Sequence, residues 1–254
     1  MRQREPAICL RTHDYSETSQ VVHFLTRTSG VVRLLAKGTK RPKSKSGGAL
    51  DLLSEGDLVF SGAGRLTLGT LMEFTETVPH LDLRHDGRRL NVAVFLLELA
   101  AEMLPESDPH PEVFDLLHNA LVRLGQEGAP VAAVLAYFQW RLLRHVGLLG
   151  QLNDCVVCGD TILTPADATS LRLPPRDVYF SSFQGGLLCG ACESATVEKY
   201  LLDRDTLSAI AILLAVEAGQ KAPLPDKQAR ALTRLLNYHI TQQLGKPLKM
   251  ARYV

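Results

Sequence analysis

Two short β-prone runs joined by a turn occupy residues 21–36, VVHFLTRTSGVVRLLA. Residues 21–26 and 31–36 are rich in β-branched and large apolar side chains, and Thr28, Ser29 and Gly30 between them are turn formers. Runs of this length bounded by such clusters are typical of strands joined in a hairpin. The stretch therefore predicts β structure near the start of the chain.

Three further runs extend this pattern on both sides, at residues 7–12, 57–60 and 65–71. The last of them alternates apolar and polar residues, and Gly62 and Gly64 mark a turn before it. Five short strands within residues 6–78 suit a small barrel, and the five-stranded OB barrel is the obvious candidate. Cys9 is expected to be a small buried apolar side chain. Core positions rather than exposed stacking positions are also expected for four aromatic residues, Tyr15, Phe24, Phe60 and Phe74.

The pattern changes after Pro79. Apolar residues recur at helical spacing in residues 88–104, where Leu90, Val94, Leu97 and Ala101 share one predicted face. Helices are also predicted at residues 112–124, 130–148, 195–217 and 226–244. We therefore predict an α+β fold, with an N-terminal OB-fold β-barrel in residues 1–80 and an all-α domain in residues 81–254. Residues 153–193, which are rich in turn formers, form a cysteine module inserted into that domain.

The composition excludes several classes of protein. Apolar residues make up 46% and charged residues 22% of the 254 residues, which is enough apolar material for a core and too ordinary for a disordered or coiled-coil chain. Apolar stretches of about 18 residues without a charge do not occur, so no membrane span is predicted. The N-terminal MRQREP is not followed by an apolar signal segment. These features favour a reducing, cytoplasmic setting.

Two C-x-x-C pairs, CVVC at residues 155–158 and CGAC at residues 189–192, form the most specific motif. Each pair places two sulfurs on one side of a tight turn, and two facing turns make a tetrahedral cage of four thiolates. This donor set suits Zn²⁺, while an iron–sulfur cluster is the open alternative and disulfides are disfavoured in a reducing compartment. We predict one structural zinc ion bound by Cys155, Cys158, Cys189 and Cys192.

Nothing in the sequence indicates catalysis. Four thiolates fill a tetrahedral shell and leave no position for water or substrate, which argues against a zinc enzyme acting on nucleic acid. The H-x-E element of the zinc deaminases, the nucleophile elbow and the P-loop are all missing from the sequence. We therefore expect a protein that is not an enzyme.

The net charge of +1 conceals an uneven distribution. Residues 1–80 have a net charge of +3, residues 81–150 and 151–193 each have −3, and residues 194–254 have +4. The stretch Arg27–Leu50 contains seven cations and no acid. A solvated rim of the barrel would explain such a run, but its place on an OB-like barrel favours contact with DNA phosphates. The predicted DNA-binding residues are Arg33, Lys37, Lys40, Arg41, Lys43 and Lys45.

Several stretches together resemble the bacterial recombination-mediator family RecO. The first are AICL at residues 7–10, YSETSQVV at residues 15–22 and AKGTKRPKS at residues 36–44. The others are GLL at residues 147–149, the two cysteine pairs with GGLL before the second, LLNYHI at residues 235–240 and GKPLK at residues 245–249. The resemblance spans nearly the whole chain and joins an OB-like start to a four-cysteine module.

This resemblance implies an OB domain, a helical domain, a zinc module and a role in DNA repair. It implies binding of single- and double-stranded DNA, annealing of complementary strands, and loading of RecA together with RecR and the single-strand binding protein, in the cytoplasm at the nucleoid. Lys37, Lys40, Arg41 and Lys43 match the family's basic positions as DNA contacts. Because the family varies in keeping the cysteines, the zinc is expected to be structural.

A protein-interaction adaptor with incidental DNA contact is the alternative function, and the acidic middle of the chain suits it. Arg141 and Arg144, on the third predicted helix, are candidates for binding the acidic tail of the single-strand binding protein. The cations Lys246, Lys249 and Arg252 near the C-terminus form a second basic stretch.

Overall fold

A computed structural model of the protein describes residues 2–40, 48–64, 67–170, 173–174 and 176–254, with only the backbone described at residues 169 and 170. Strands dominate its first part and helices the remainder, so the predicted α+β fold class is confirmed. The chain divides into two compact units, one of Met1–Ala129 with Met250–Val254 and the other of Pro130–Lys249.

The first unit begins with a closed five-stranded barrel. Its strands are β1 (Arg2–Asp14), β2 (Gln20–Thr26), β3 (Gly30–Ala36), β4 (Glu55–Ser61) and β5 (Gly69–Val78). The barrel closes in the order β1-β2-β3-β5-β4, with β4 pairing back to β1. Every pairing is antiparallel except β3 with β5. This is the strand-rich, OB-like arrangement that the sequence predicts, although β1 begins five residues earlier than predicted.

Side chains that alternate along the strands fill the barrel. Cys9, Phe24, Phe60 and Phe74 lie in this core, as predicted. Because side chains of a strand point alternately to its two faces, the intervening residues point outward. The complete core cluster is Ala7, Cys9, Val22, Phe24, Val32, Leu34, Ala36, Leu50, Leu58, Phe60, Leu71 and Phe74.

Two helices follow the barrel in the same unit. A 3₁₀ turn at Leu81–His85 leads into α1 (Gly87–Met103) and then α2 (Pro111–Gly125). The Asp86 side chain caps α1 by accepting hydrogen bonds from the backbone N–H groups of Arg88 and Arg89 at 2.9 and 3.2 Å. The C-terminal 3₁₀ turn Met250–Tyr253 packs on α1, where the Met250 N–H donates to Glu98 at 2.8 Å.

The helices pack on the barrel, and this moves the boundary between compact units away from residue 80. Arg11 of β1 pairs with Glu102 of α1 at 2.6 Å, and the Arg27 guanidinium binds Asp115 of α2 at 2.8 and 3.0 Å. The compact units therefore do not divide at residue 80, and the predicted domains, residues 1–80 and 81–254, stay a prediction. The predicted apolar face of the first helix is also too narrow. Of the four residues predicted to share that face, only Leu97 is fully buried, and other residues on more than one side of α1 are buried as well.

The second unit combines helices with a small sheet. Its helices are α3 (Val131–His145), the short α4 (Asp167–Ser170), α5 (Arg204–Glu217) and α6 (Asp226–Leu244), and α6 packs on both α3 and α5. A three-stranded sheet in the order β7-β6-β8 consists of β6 (Val178–Ser181), β7 (Gly186–Cys189) and β8 (Tyr200–Leu201). The predicted helix from residue 195 is wrong at its start, because β8 pairs with β6 and Asp203 caps α5.

Candidate functional site

Four cysteines converge in the second unit. The sulfur atoms of Cys155, Cys158, Cys189 and Cys192 all lie within 4.8 Å of one another, and those of Cys158 and Cys189 are 3.7 Å apart. All four are free thiols rather than disulfides. This cluster could hold a metal ion, as the spacing of the two C-x-x-C pairs predicts.

The first pair is held by a tight turn against the sheet. The Cys155 N–H donates to the Asp160 carbonyl at 2.8 Å, and the Gly159 N–H donates to the Cys155 carbonyl at 2.9 Å. Gly159 has a φ of 79°, in the left-handed region that glycine adopts without strain. The Val156 N–H donates to the carbonyl of Leu187, a residue of β7, at 2.9 Å. Both pairs are therefore attached to the same strand.

The second pair lies at the end of that strand. Cys189 is the last residue of β7, and Cys192 lies in the following 3₁₀ turn, Gly190–Ala195. The Cys189 N–H points toward the Cys155 sulfur at 3.4 Å. A Cβ atom at Gly190 would lie 3.2 Å from the Asp177 carbonyl oxygen. This is a tight contact, so the turn accommodates glycine more easily than a larger residue at this position.

The protein surroundings alone lower the pKa of one of these thiols, that of Cys155. Burial raises the pKa of Cys155, but hydrogen bonds from the backbone N–H groups of Cys158, Cys189 and Val157 outweigh it and bring this pKa to about 6. A backbone hydrogen bond from Asp160 lowers the pKa of Cys158, but desolvation and hydrogen bonds with the neighbouring thiols outweigh it and raise this pKa to about 12. Desolvation and a hydrogen bond with the Cys189 thiol raise the pKa of Cys192 as well, so the surroundings oppose ionisation of both groups. A cation would relieve this opposition, since the thiolate is the form that binds metal.

The basic loop, Lys37 to Lys45 of the predicted DNA-binding stretch, begins directly after β3, and the structure describes it as far as Lys40. Lys37 is exposed, and Lys40 pairs with Asp14 at 2.5 Å. Arg33 of β3 pairs with Glu106 at 2.8 Å and is about one-third exposed. The predicted contacts Arg41, Lys43 and Lys45 lie outside the described residues.

Gln20 ties together the chain on either side of this loop. Its side-chain oxygen accepts from the Leu50 N–H at 3.0 Å and from the Thr39 hydroxyl at 3.2 Å, and its amide group donates to the Leu50 carbonyl at 3.3 Å. All three residues are buried. Thr39 and Leu50 are therefore held by the same side chain of β2.

Tyr15 differs from the expectation that it belongs to the barrel core. It follows β1 in a turn where its N–H donates to the Ser19 carbonyl, and its side chain is 65% exposed. Its position just beyond the last strand residue, Asp14, is the reason, because the core positions end with the strand. An exposed aromatic ring beside a basic segment is a surface on which an unpaired base can stack.

The two arginines predicted to bind a partner lie on α3. The Arg144 guanidinium pairs with Glu217 at 2.9 Å and lies 5.2 Å from the centre of the Trp140 ring, whose N–H donates to the same carboxylate at 2.8 Å. These contacts place Arg144 in a structural network of the second unit. Arg141 is half-buried one turn earlier on the helix. Partner binding by either residue stays a prediction.

The C-terminal cations belong to different compact units. Lys246 and Lys249 precede the boundary and lie in the second unit, while Arg252 lies in the first, with its guanidinium 4.8 Å from the centre of the Tyr253 ring. The basic stretch at the end of the sequence is thus not one structural element.

A serine and a histidine that belong to no recognisable motif are hydrogen-bonded in the second unit. The Ser182 hydroxyl lies 2.6 Å from His239 Nδ1, and His239 Nε2 lies 2.8 Å from the Leu148 carbonyl. Because a carbonyl only accepts, Nε2 donates and Nδ1 accepts from the hydroxyl. Burial lowers the pKa of His239 and keeps the ring neutral. Both side chains are at most 1% exposed, so this pair connects the turn after β6 to α6 rather than acting on a substrate.

Comparison with known families matches both parts of the chain. The family model described as the N terminal part of recombination protein O matches residues 1–77, and the model described as its C terminal part matches residues 84–252. The chain belongs to the recombination protein O (RecO) family. The resemblance noted in the sequence is thereby confirmed over nearly its whole length.

Curated members of the RecO family align along almost all of the chain. A DNA repair protein RecO from Anaeromyxobacter dehalogenans is 32% identical over 96% of this chain and 94% of its own length. The DNA repair protein RecO from Myxococcus xanthus is 27% identical over 100% of this chain and 97% of its own, and that from Rhodopirellula baltica is 32% identical over 80% and 72%. Among the helices described for this RecO family member, none is long and apolar enough to cross a membrane.

Proposed function

We propose that this RecO family protein is a recombination mediator in DNA repair that binds single- and double-stranded DNA and anneals complementary strands. In this role it loads RecA, together with RecR, onto DNA covered by the single-strand binding protein, in the cytoplasm at the nucleoid. Family membership over both parts of the chain is the observation that carries the proposal. DNA binding is further supported by the acid-free stretch Arg27–Leu50 on an OB-like barrel.

The basic stretch would act by neutralising phosphates. Lysine and arginine side chains that contact phosphates release counterions, so binding weakens with salt and depends little on base sequence. When two complementary strands lie on such a surface, their mutual repulsion falls and pairing becomes easier. Lys37 is exposed within the stretch, and the Gln20 side chain holds Thr39 and Leu50 of the stretch to β2.

The proposal is tested with a variant in which Lys37, Lys40, Arg41 and Lys43 are replaced by Gln. We expect it to bind a single-stranded oligonucleotide more weakly and with a smaller salt dependence, by about 0.7 in the slope of log K against log salt for each phosphate that is no longer bound. Annealing of complementary oligonucleotides is expected to slow in parallel. Unchanged affinity and salt slope would contradict the assignment of DNA binding to this stretch.

A control variant distinguishes the effect of this stretch on DNA affinity from the effect of net charge alone. Replacing four cations of the second unit, Arg204, Lys221, Lys227 and Arg230, by Gln changes the net charge by the same amount. We expect this control to retain most of the affinity for DNA. An equal reduction in both variants would mean that net charge and not the basic stretch governs binding.

We also propose that the four-cysteine cluster holds one structural Zn²⁺. Four sulfur donors within 4.8 Å suit a tetrahedral thiolate site, for which Zn²⁺ is a preferred ion. Such a shell is complete, and we infer that the protein has no catalytic step of its own. Elemental analysis of protein purified without chelators is expected to give about one zinc per chain, and iron with its visible absorption would instead indicate an iron–sulfur cluster.

A protein-interaction adaptor is the second candidate, and one observation favours it. Phe183 in the turn between β6 and β7 is 89% exposed, while the turn is fixed by Glu198, which accepts from the N–H groups of Ser182 and Phe183 at 2.9 and 3.2 Å. An exposed aromatic side chain on a turn whose backbone is fixed suits contact with a protein partner. This candidate gains if the variant of the basic stretch anneals normally while Phe183→Ser abolishes recruitment of RecR or the single-strand binding protein.

A further inference from the structure

A row of basic side chains crosses the outside of the barrel. In the register of the strands, Arg11 of β1 lies opposite His23 of β2, and His23 lies opposite Arg33 of β3. Val22 and Phe24, on either side of His23, point into the core, so His23 points outward. Residues directly opposite one another on one face lie about 5 Å apart, which makes these three side chains immediate neighbours.

A second histidine joins this row. The ring of His13, two residues after Arg11 on β1, meets the ring of His23 edge-on, with centroids 5.9 Å apart and an interplanar angle of 78°. His13 is exposed and His23 half-buried. We call Arg11, His13, His23 and Arg33 the Arg–His row.

Nearby carboxylates balance the two guanidinium groups. Glu102 at the end of α1 pairs with Arg11 at 2.6 Å, and Glu106 in the following segment pairs with Arg33 at 2.8 Å. The arginines still offer N–H donors, since a guanidinium has five and each of these contacts uses few of them. The arginines stay charged, so the two imidazoles are the groups in the row whose charge a bound anion can change.

The free protein resists protonation of one imidazole. Burial lowers the pKa of His23 to about 4, and the positive groups of His13, Arg11 and Arg33 contribute to this shift. An anion between these groups would reverse their effect, because a nearby negative charge favours the protonated imidazole. A ligand with that charge would thus bind together with a proton.

Tyr15 indicates which anionic ligand fits. It lies in the turn after β1, two residues beyond His13 in sequence, and its side chain is 65% exposed. Stacking on such a ring requires a base with a free face, which a single strand provides and an intact duplex does not. A single strand offers both groups at once, phosphates for the Arg–His row and a base for Tyr15.

We propose that the Arg–His row is a proton-linked site for the backbone phosphates of single-stranded DNA. The inference rests on the proposed function, since it assumes that the barrel binds DNA, and adds where a single strand contacts it and what controls its affinity. Binding takes up protons, so the affinity rises as the pH falls from 8 toward 5.5. No covalent step is involved.

The test measures the affinity of the full-length protein for a fluorescent single-stranded oligonucleotide between pH 8 and 5.5 at constant ionic strength. We expect the wild-type affinity to rise by up to about tenfold per pH unit for each proton taken up. Titration calorimetry in buffers of different ionisation enthalpy counts these protons directly. In the His13→Gln/His23→Gln variant, both the pH slope and the proton uptake are expected to vanish.

A matched control is His85→Gln, which replaces an exposed histidine of the same compact unit away from the row. It is expected to keep the wild-type pH slope. If the double variant also keeps this slope, the Arg–His row is not the site. An equal slope for a duplex of the same length would show that the site does not prefer single strands and would overturn that part of the proposal.

Failure of this inference is distinguishable from failure of the proposed function. A protein that binds no DNA at pH 8 or below contradicts both, while binding at pH 8 that depends on the basic stretch but not on pH contradicts only the inference. If the double variant does not fold, the pH slope of His13→Gln alone is measured, and the imidazole resonances of the wild type are titrated with and without DNA. Single-stranded DNA must then raise the titration midpoint of His23, and an unchanged midpoint overturns the proposal.

Discussion

Gln20 and Leu50 exchange two hydrogen bonds inside the barrel. The Leu50 N–H donates to the Gln20 side-chain oxygen at 3.0 Å, and the Gln20 amide donates to the Leu50 carbonyl at 3.3 Å. The side chain thereby replaces the strand partner that Leu50 lacks, because Leu50 lies outside the named strands. Gln20 thereby anchors Leu50, in the segment between β3 and β4, to the start of β2.

Removal of this side chain is expected to destabilise the first unit. Gln20→Leu leaves the buried N–H and C=O of Leu50 without these partners, which costs roughly 1–3 kcal/mol of unfolding free energy for each unsatisfied group. Urea unfolding followed by circular dichroism measures the change. Gln3→Leu, an exposed position on β1, is the control and should change the free energy by less than about 0.5 kcal/mol. Equal stability of the two variants would mean that the Gln20–Leu50 hydrogen bonds do not stabilise the first unit.

Gly30 and Gly128 provide a matched pair for the contact between the barrel and the segment before α2. Both have a φ of 69°, but a Cβ on Gly30 would lie 2.2 Å from the Asp108 carbonyl oxygen, whereas one on Gly128 would meet nothing within 4 Å. Alanine in the left-handed region costs about 1–2 kcal/mol at either position. Gly30→Ala must in addition displace the Asp108 backbone, so we expect it to be destabilised by a further ~1–3 kcal/mol. Thermal unfolding of both variants tests this, and equal melting temperatures would show that the Asp108 segment moves freely.

Local patterns predicted most of the barrel and the cysteine site. The two β-prone runs at residues 21–26 and 31–36, with turn formers between them, are enough to place β2 and β3. The spacing of the two C-x-x-C pairs predicts the cluster in which the four cysteine sulfurs meet. Both signals depend on spacing along the chain. They therefore need no knowledge of how distant segments pack.

Features that depend on distant contacts were not predictable in this way. Helices α1 and α2 look in sequence like the start of a helical domain, yet pairs such as Arg11 with Glu102 attach them to the barrel. The start of α5 depends on the pairing of β8 with β6, which overrides the helical spacing of residues 195–203. The Arg–His row appears only once the register places Arg11, His23 and Arg33 side by side.

The metal is expected to hold the cysteine module together. The sheet beside the cluster has only short strands, with two to four residues each, and such a segment gains folding free energy from metal binding. Cys192→Ser, or a strong chelator, should release the ion and lower the melting temperature of the second unit. The control is Cys9→Ser, which leaves the metal site intact because Cys9 lies in the barrel. In this variant the chelator should lower the melting temperature of the second unit by the same amount as in wild type. Unchanged stability after complete removal of the metal would contradict a structural role.

Asp203 makes the stability of the second unit depend on pH. Its side chain caps α5 by accepting from the Thr206 N–H at 2.7 Å, and Arg234 lies 3.4 Å from its other oxygen. Partial burial raises the pKa of Asp203, but these hydrogen bonds and the arginine outweigh it and leave the pKa below its ordinary value. A carboxyl group whose pKa is lowered by folding stabilises the fold above its unfolded pKa of about 3.9, and this contribution disappears as the pH falls through the lower folded value.

Two substitutions at Asp203 separate the cap from the charge. Asp203→Ala removes both and is expected to cost about 1 kcal/mol at pH 7, while Asp203→Asn keeps an acceptor for the Thr206 N–H and should cost less. The advantage of the wild type over Asp203→Asn comes from the carboxylate, so it must shrink as the pH is lowered from 5 to 3. Urea unfolding of the three proteins across this range measures it. A constant difference between wild type and Asp203→Asn down to pH 3 would show that the charge of Asp203 adds nothing to the cap of α5.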